Sequence, residues 1–410
     1  MKIDKKHLLN YSILIPYLIL SVLGLIVVYS TTSPTSIQAG GNGFGMVLNQ
    51  GIFWVISLFI IALLYRIRLG FLKKGGILTI VIFAEIILLL LSRFITGTIN
   101  GAHGWLKLGA FSIQPAEYLK IILVWYLAFR FTKRQEEIKV YDYQALTHNH
   151  WFPKAFNDWR TMVAILIGIV AIMPDLGNAT ILTLTVVIMI AVSGIGYRWF
   201  STMLGAIVSV SGLVLTSIWI IGVERVAKIP VFGYVAKRFS AFFNPFKDLS
   251  GSGHQLANSY YAMSNGGWFG LGLGNSIEKR GYLPEAHTDF VFSIVIEEFG
   301  FFGASLILAL LFFLILRIIL VGIRAKNPFN SMMALGIGGM ILMQTFINIG
   351  GISGLIPSTG VTFPFLSQGG NSLLVLSVAI ALVLNIDANE RRDALYEQME
   401  AEAQDQSEEA

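Results

Sequence analysis

The stretch "TDFVFSIVIEEFGFFGASLILALLFFLILR", residues 288–317, decides the fold. Its second part, Phe299 to Leu316, holds no ionisable residue. A run of this kind is read as a transmembrane helix, which needs about 20 apolar residues. Working outward, comparable runs recur at 9–30, 50–66, 76–93, 112–131, 161–174, 177–195, 199–222, 331–350 and 369–387. The chain has 410 residues, 55% of them hydrophobic and 13% charged, with a mean hydropathy of +0.70. Soluble domains carry about 25% charge. The fold class is therefore an all-α polytopic membrane protein of ten transmembrane helices. There is no cysteine, which excludes disulfides, zinc-thiolate sites and cysteine nucleophiles. The first run, Leu8 to Ser30, is longer than a signal-peptide core and no small-residue cleavage site follows it, so it reads as an anchor that stays in the membrane.

Lys and Arg orient the spans when counted over short loops. With the amino terminus cytoplasmic, the inner segments hold 19 Lys and Arg, and the short outer loops hold two, Arg93 and Lys107. The even number of spans returns the carboxyl terminus to the cytoplasm. Residues 132–160 form a cytoplasmic insertion, and 223–287 a long outer loop. The loop's "VFGYVAKRFSAFFNPF" is amphipathic and is expected to lie along the interface. The 389–410 tail has eight acids against Arg391 and Arg392. With the chain at net +5, the membrane domain 1–388 carries about +11, which suits anionic lipid headgroups.

Ionisable residues at membrane depth are functional candidates. Glu117 and Lys120 lie three apart on one face of the fourth span, and together they cost less than either alone. They fit an ion pair that fixes packing or a functional pair. Glu85 stands alone in the third span and would face a polar cavity or be protonated. The richest stretch is 253–300, where closely spaced glycines precede Lys279, Arg280 and "LPEAHTDF". Asp289 falls where the loop meets the eighth span. At that edge of low dielectric its pKa would rise toward that of a usable base. Thr288 or Asp289 could equally be a helix-start cap. Glu297 and Glu298 would form a cation site or line a polar seam. Trp105 reads as an interfacial anchor or a stacking platform for a sugar. The segment 355–372, dense in Gly, Pro and hydroxyls, is irregular backbone that must line protein or a wet cavity. His148 and His150 lack nearby acids and read as a surface loop.

"QPAEYLK", "YLPEAHTDFVFSIVIEEFG" and "GLIPSTGVTFPFLSQGGNSLL" occur in the order in which they resemble the SEDS proteins of bacterial cell-wall synthesis. The likeness runs over nearly the whole chain. Through "RFSAFFNPF" and the 132–160 insertion it is most similar to the division branch in streptococci; the elongation branch shares the core motifs. The resemblance implies a ten-helix fold and a peptidoglycan glycosyltransferase that polymerises lipid II at the outer face of the plasma membrane, at the division septum. It places the family's essential loop aspartate, the general base, on Asp289, its loop tryptophan on Trp105 and its fourth-helix pair on Glu117 and Lys120. Lys237, Arg238, Lys279 and Arg280 become pyrophosphate contacts. Gln255, His287 and Ser367 complete the substrate-binding set. A divalent cation, Mg or Mn, is an implied cofactor. The implied partners are a class B penicillin-binding protein, whose helix would pack on small residues such as Gly336, Gly338 and Gly339, and other divisome membrane proteins; no nucleic acid is implied. Two positions depart from the family pattern: Gly104 stands where an arginine usually precedes Trp105, and Asn371 interrupts a double serine.

Two rival readings fit the same polar residues. A carrier for polyisoprenoid lipids needs polar groups along the full membrane depth, and here they crowd one half. A scaffold that only recruits a synthase has no need of intramembrane charge. The topology is tested by a compartment-specific reporter inserted within 251–275. Activity only outside the cytoplasm is expected; activity only inside reverses the orientation.

Overall fold

The computed structural model describes residues 5–38, 40–95, 104–108, 111–147, 158–226, 233–249, 251 and 253–408. Ten long helices form its body: α1 (Tyr11–Gln38), α2 (Gly45–Arg66), α3 (Gly75–Phe94), α4 (Pro115–Thr132), α5 (Trp159–Ile172), α6 (Leu176–Val192), α7 (Tyr197–Ile221), α8 (Val291–Arg324), α9 (Pro328–Ile352) and α10 (Gly370–Glu408). Seven are long and apolar enough to cross a bilayer, and α5 and α6 are shorter apolar helices. The protein is a multi-pass membrane protein. A two-stranded hairpin, β1 (Leu106–Leu108) with β2 (Phe111–Ile113), precedes α4, with Lys107 opposite Ser112.

The centre is α4, α6, α9 and α10. Leu119, Leu123, Val124 and Leu127 of α4 are fully buried, and α9 and α10 are buried over most of their apolar windows. The periphery is α7, whose apolar window is only 6% buried, so lipid covers nearly all of it. Gly336 packs on Val124 and Met189, Gly338 on Ile319, and Gly339 on Ile188. These glycines let α9 approach α4, α6 and α8. They do not face outward toward a partner helix, which corrects the docking face expected from sequence.

Several helix boundaries differ from the apolar runs, among them the end of α1, at Gln38 and not 30, and the start of α2, at Gly45 and not 50. The fourth helix begins at Pro115, not 112, because Phe111–Ile113 pairs as a strand and proline is favoured in a first helical turn. The eighth begins at Val291 and runs to Arg324. The tenth continues through the acidic tail to Glu408, with Lys326 bound to Glu397 and Glu390 accepting from Asn330. The insertion holds two short helices, Gln135–Tyr141 and Tyr143–Thr147; His148 and His150 lie outside the described residues.

Two segments break helical order near the end of the bundle opposite the termini. In α8 the break is at Gly300, whose φ is 68°. A side chain there would meet Gly270 N at 2.3 Å and Phe269 C at 2.4 Å. The broken turn pairs with the loop instead: Leu271 N donates to Glu297 O and Gly272 N to Glu298 O, both at 2.9 Å, and Phe301 N donates to Gly267 O at 2.9 Å. The second break is residues 353–369, packed so closely that a Cβ on Gly24 of α1 would collide with Phe365 O.

Gly300→Ala should destabilise by at least about 2 kcal/mol, from the left-handed φ and the backbone clash together. Gly212→Ala, on the lipid-facing α7 where nothing lies within 4 Å, should stay within about 1 kcal/mol of the parent. Thermal unfolding in detergent compares the two.

Candidate active site

The second break is held by side chains, since irregular backbone at this depth cannot rely on water. Asn348 of α9 donates to Val361 O at 2.6 Å and to Asp289 O at 2.7 Å. Gln344 donates to Thr362 O at 3.0 Å, and Arg238 to Ser358 O at 2.5 Å. Ser367 Oγ donates to Thr288 O and accepts from Phe363 N, both at 2.7 Å, while Gln368 N donates to His287 O at 2.8 Å. These bonds tie the turn carrying Asp289 to the 353–369 segment.

Between them lies a cavity of about 530 Å³. Its walls bring together Asp289, Arg238, Asp175, Glu285, Glu117 and Trp105, with Gln255 and Gln114 beside them. Gly360 explains how acid and cation approach. Its φ is +79°, and an added Cβ would lie 3.0 Å from Arg238 Nη2 and 3.2 Å from Asp289 Oδ2. Burial pushes the Asp289 carboxyl up to about 6; Arg238 opposes that shift, and the charges of Glu285 and Asp175 add to it. Burial also lowers His287, which keeps its ring neutral near pH 7.

Asp289 does not cap α8. The N-cap position is Phe290, without a side-chain bond, and Thr288 donates to Glu285 Oε2 at 2.6 Å. The cap alternative is thereby removed, and the carboxyl lines the cavity. Glu117 and Lys120 pair at 2.8 Å, and Lys120 also reaches Gln344 at 3.3 Å. Lys120 is thus held behind the wall, while Glu117 lines the cavity and its Oε2 has no hydrogen-bond partner among the described residues.

Other expected residues lie elsewhere. Lys279 is buried and makes a 2.5 Å ion pair with Glu298 and a 2.7 Å bond to Ser30, so it is a packing cation and not a cavity-lining pyrophosphate contact. Arg280 is exposed and outside the cavity lining. His287 and Ser367 support the turn through the bonds above without lining the cavity. Lys237 lies on the short helix Gly233–Phe243, and its side chain is outside those described. Glu297 accepts from Ser276 at 2.5 Å, Asn265 and Ile277 N, so it is a seam residue, not an open cation site. Asn371 joins the hairpin to α4, donating to Ser112 O at 2.7 Å and accepting from Tyr118.

Sequence reasoning missed Asp175, Asn178 and Gly360. Asp175 caps α6 through Asn178 N at 3.1 Å and also accepts from Gln114 at 3.2 Å. Its signal was an acid directly after Pro174 between two apolar runs, which reads first as a turn.

The family model for the FtsW/RodA/SpoVE cell cycle proteins matches residues 11–392. A Lactococcus lactis protein named probable peptidoglycan glycosyltransferase FtsW is 48% identical over 405 residues, covering 97% of this chain and 96% of that protein. The Bacillus subtilis protein of the same name is 37% identical over 383 residues, covering 92% and 90%. Among solved structures, a chain of a peptidoglycan synthase complex superposes with a TM-score of 0.71 at 23% identity, covering 93% of this chain and 98% of its own. The rod shape determining protein RodA of Thermus thermophilus gives 0.61 at 21% identity, covering 93% and 97%. These two likenesses show the fold. The chain belongs to the FtsW/RodA/SpoVE family.

The two cations can be separated by stability. Lys279→Met leaves Glu298 charged and unpaired in the interior and should cost about 3–5 kcal/mol, most of it recovered by adding Glu298→Gln. Arg280→Ala should change stability by no more than about 0.5 kcal/mol. Thermal unfolding of the purified variants reads both.

Proposed function

We propose that this family member uses the Asp289 cavity to polymerise lipid II into glycan strands, with Asp289 as the base. The chain is a peptidoglycan glycosyltransferase of the FtsW type, acting in cell-wall synthesis during cell division. The observation that carries the assignment is the carboxylate–guanidinium pair across Gly360, at one end of a membrane bundle, in a cavity large enough for sugar and phosphate.

Glycan extension joins an acceptor sugar hydroxyl to the anomeric carbon of a polyprenyl-pyrophosphate-linked donor. The new C–O bond forms as the anomeric C–O bond to the pyrophosphate breaks, and polyprenyl pyrophosphate leaves with the electron pair. The hydroxyl is a poor nucleophile until its proton is taken, and Asp289 is placed to take it. Arg238, held on Ser358 O, faces the same space and offers charge to the departing pyrophosphate. Glu117 Oε2 offers an unused acceptor to a sugar hydroxyl or amide N–H. Trp105 offers an apolar ring face at the cavity mouth, and Gln255 a further polar contact.

An implied Mg or Mn ion finds no complete cage: among the described residues no three of His, Asp and Glu converge closely enough to hold one. Asp175, which lines the cavity, could hold such an ion only together with substrate phosphates, as Mg is commonly held, and there it would neutralise pyrophosphate charge. The glycan product calls for a cross-linking partner, a class B penicillin-binding protein, alongside other divisome membrane proteins. Both termini lie in the cytoplasm and the site faces outward at the septum; that placement is supported by the Lys and Arg distribution.

Asp289 accepts a proton only when ionised, so polymerisation of purified lipid II should rise as pH climbs through about 6 and level off above it. Asp289→Asn should cut the rate by about two orders of magnitude or more at every pH while leaving the fold intact. Near-parent polymerisation by Asp289→Asn would end the catalytic assignment.

A further inference from the structure

Two cross-links tie α1 to α8. Near the termini, Arg317 Nε donates to Ser12 Oγ at 2.7 Å, next to Asn10, which donates to Asp387 of α10 at 2.9 Å. At the other end, Ser30 Oγ meets both Lys279 Nζ and Glu298 Oε1, at 2.7 and 2.6 Å. The distance between the two levels can be measured twice. Ser12 to Ser30 spans about 27 Å of helix, and Glu298 to Arg317 about 28 Å. Bilayer hydrocarbon is about 30 Å thick. Between the levels, neither α1 nor α8 carries an Asp, Glu, Lys, Arg or His. The two sets of charged contacts therefore bracket the hydrocarbon.

Just inside the far bracket lies the Gly300 break. It projects four aromatic side chains out of the bundle: Trp268 at 62% exposure, Phe269 at 82%, Phe301 at 55% and Phe302 at 52%. They pack on one another, Trp268 against Phe301 and Phe302 at 5.3 and 5.5 Å, and Phe269 against Phe302 at 5.6 Å. The loop–helix bonds occupy the amides of Gly270, Leu271, Gly272, Phe301 and Phe302, which lowers the cost of seating the patch in lipid. Its place, continuous with the lipid-facing side of a membrane span and at its outer limit, is that of an aromatic girdle.

We propose that this cluster is seated in phospholipid and fixes the bilayer boundary opposite the termini at the level of Ser30, Lys279 and Glu298. The loop 267–274 is then an interfacial anchor, not a loop in water. Asp387 to Gly370 of α10 spans about 26 Å, which puts Gln368, bound to the His287–Asp289 turn, near the same boundary. The anchor thus holds the cavity mouth at the depth where a lipid tail ends and its phosphate begins. That last consequence rests on the function proposed above; the anchor itself does not.

The chain has no cysteine, so single spin labels can be placed without background. Phe269→Cys, Phe302→Cys and Asn275→Cys are labelled in the full chain and reconstituted alone in phosphatidylethanolamine–phosphatidylglycerol vesicles. Collision with oxygen, which partitions into lipid, is compared with collision with a water-soluble nickel chelate. Thermal unfolding confirms that each variant is folded. Labels at 269 and 302 should favour oxygen and show about tenfold less nickel accessibility than the label at 275. Nickel accessibility equal to that at 275 overturns the proposal and leaves the patch as a protein-docking surface in water. Labels closed to both reagents also overturn it, and assign the patch to a second copy of the chain. None of these outcomes depends on activity, so the anchor and the glycosyltransferase reading fail separately.

Discussion

In hydrocarbon every backbone N–H and C=O must find its partner within the protein. Regular helices meet that demand for nearly all of this chain. Where the chain leaves the helix, side chains or a neighbouring segment must supply what the helix gave up, and the site exists because one such departure, 353–369, lies beside the turn that carries Asp289. Asn348 shows the dependence most directly. One amide group donates to Val361 O in the broken segment and to Asp289 O at the head of α8. The backbone of the candidate base and the wall opposite it are therefore held by one residue, buried on an internal helix.

The two breaks solve the problem differently. At Gly300 the solution is backbone to backbone, with glycines at 266, 270 and 300 removing the side chains that would keep the chains apart. In the 353–369 segment it is side chain to backbone, through Gln344, Asn348, Ser367 and Arg238. The second solution leaves a cavity, because polar side chains prop the segment without filling the space in front of it. Gly360 then lets Arg238 and Asp289 face the same point.

Most of the fold was legible because the spans are periodic, apolar and separated by charge. The ten runs became ten helices, and the errors fell at their ends. No apolar count could show that Phe111–Ile113 would pair as a strand, or that the helical part of the acidic tail would be one continuous helix with α10 as far as Glu408. The site was half legible. Asp289, Glu117, Trp105, Arg238 and Gln255 do line one cavity. Lys279 does not, since a lysine beside an exposed arginine in a loop reads as a surface cation unless its partner is known. That partner, Glu298, lies on a different element, and sequence spacing carries no sign of it. Asp175 was hidden for the converse reason. Its local role as a helix cap is complete in itself and gives no hint that its charge also acts on Asp289.

The charges divide by what surrounds them. Lys279 and Glu298 are both buried and paired with each other, away from the cavity that Asp289 lines. Arg238 bonds to the Ser358 carbonyl and its charge opposes the upward shift of Asp289, whose carboxyl is pushed by burial up to about 6. Were the two locked in a direct bidentate pair, the carboxyl would fall well below that value and lose its use as a base. Its position balances burial, which raises it, against Arg238, which lowers it, with Glu285 and Asp175 tipping it upward. A site that must accept a proton from one sugar and release a pyrophosphate from another needs that balance, and the geometry around Gly360 supplies it by keeping acid and cation near each other but apart.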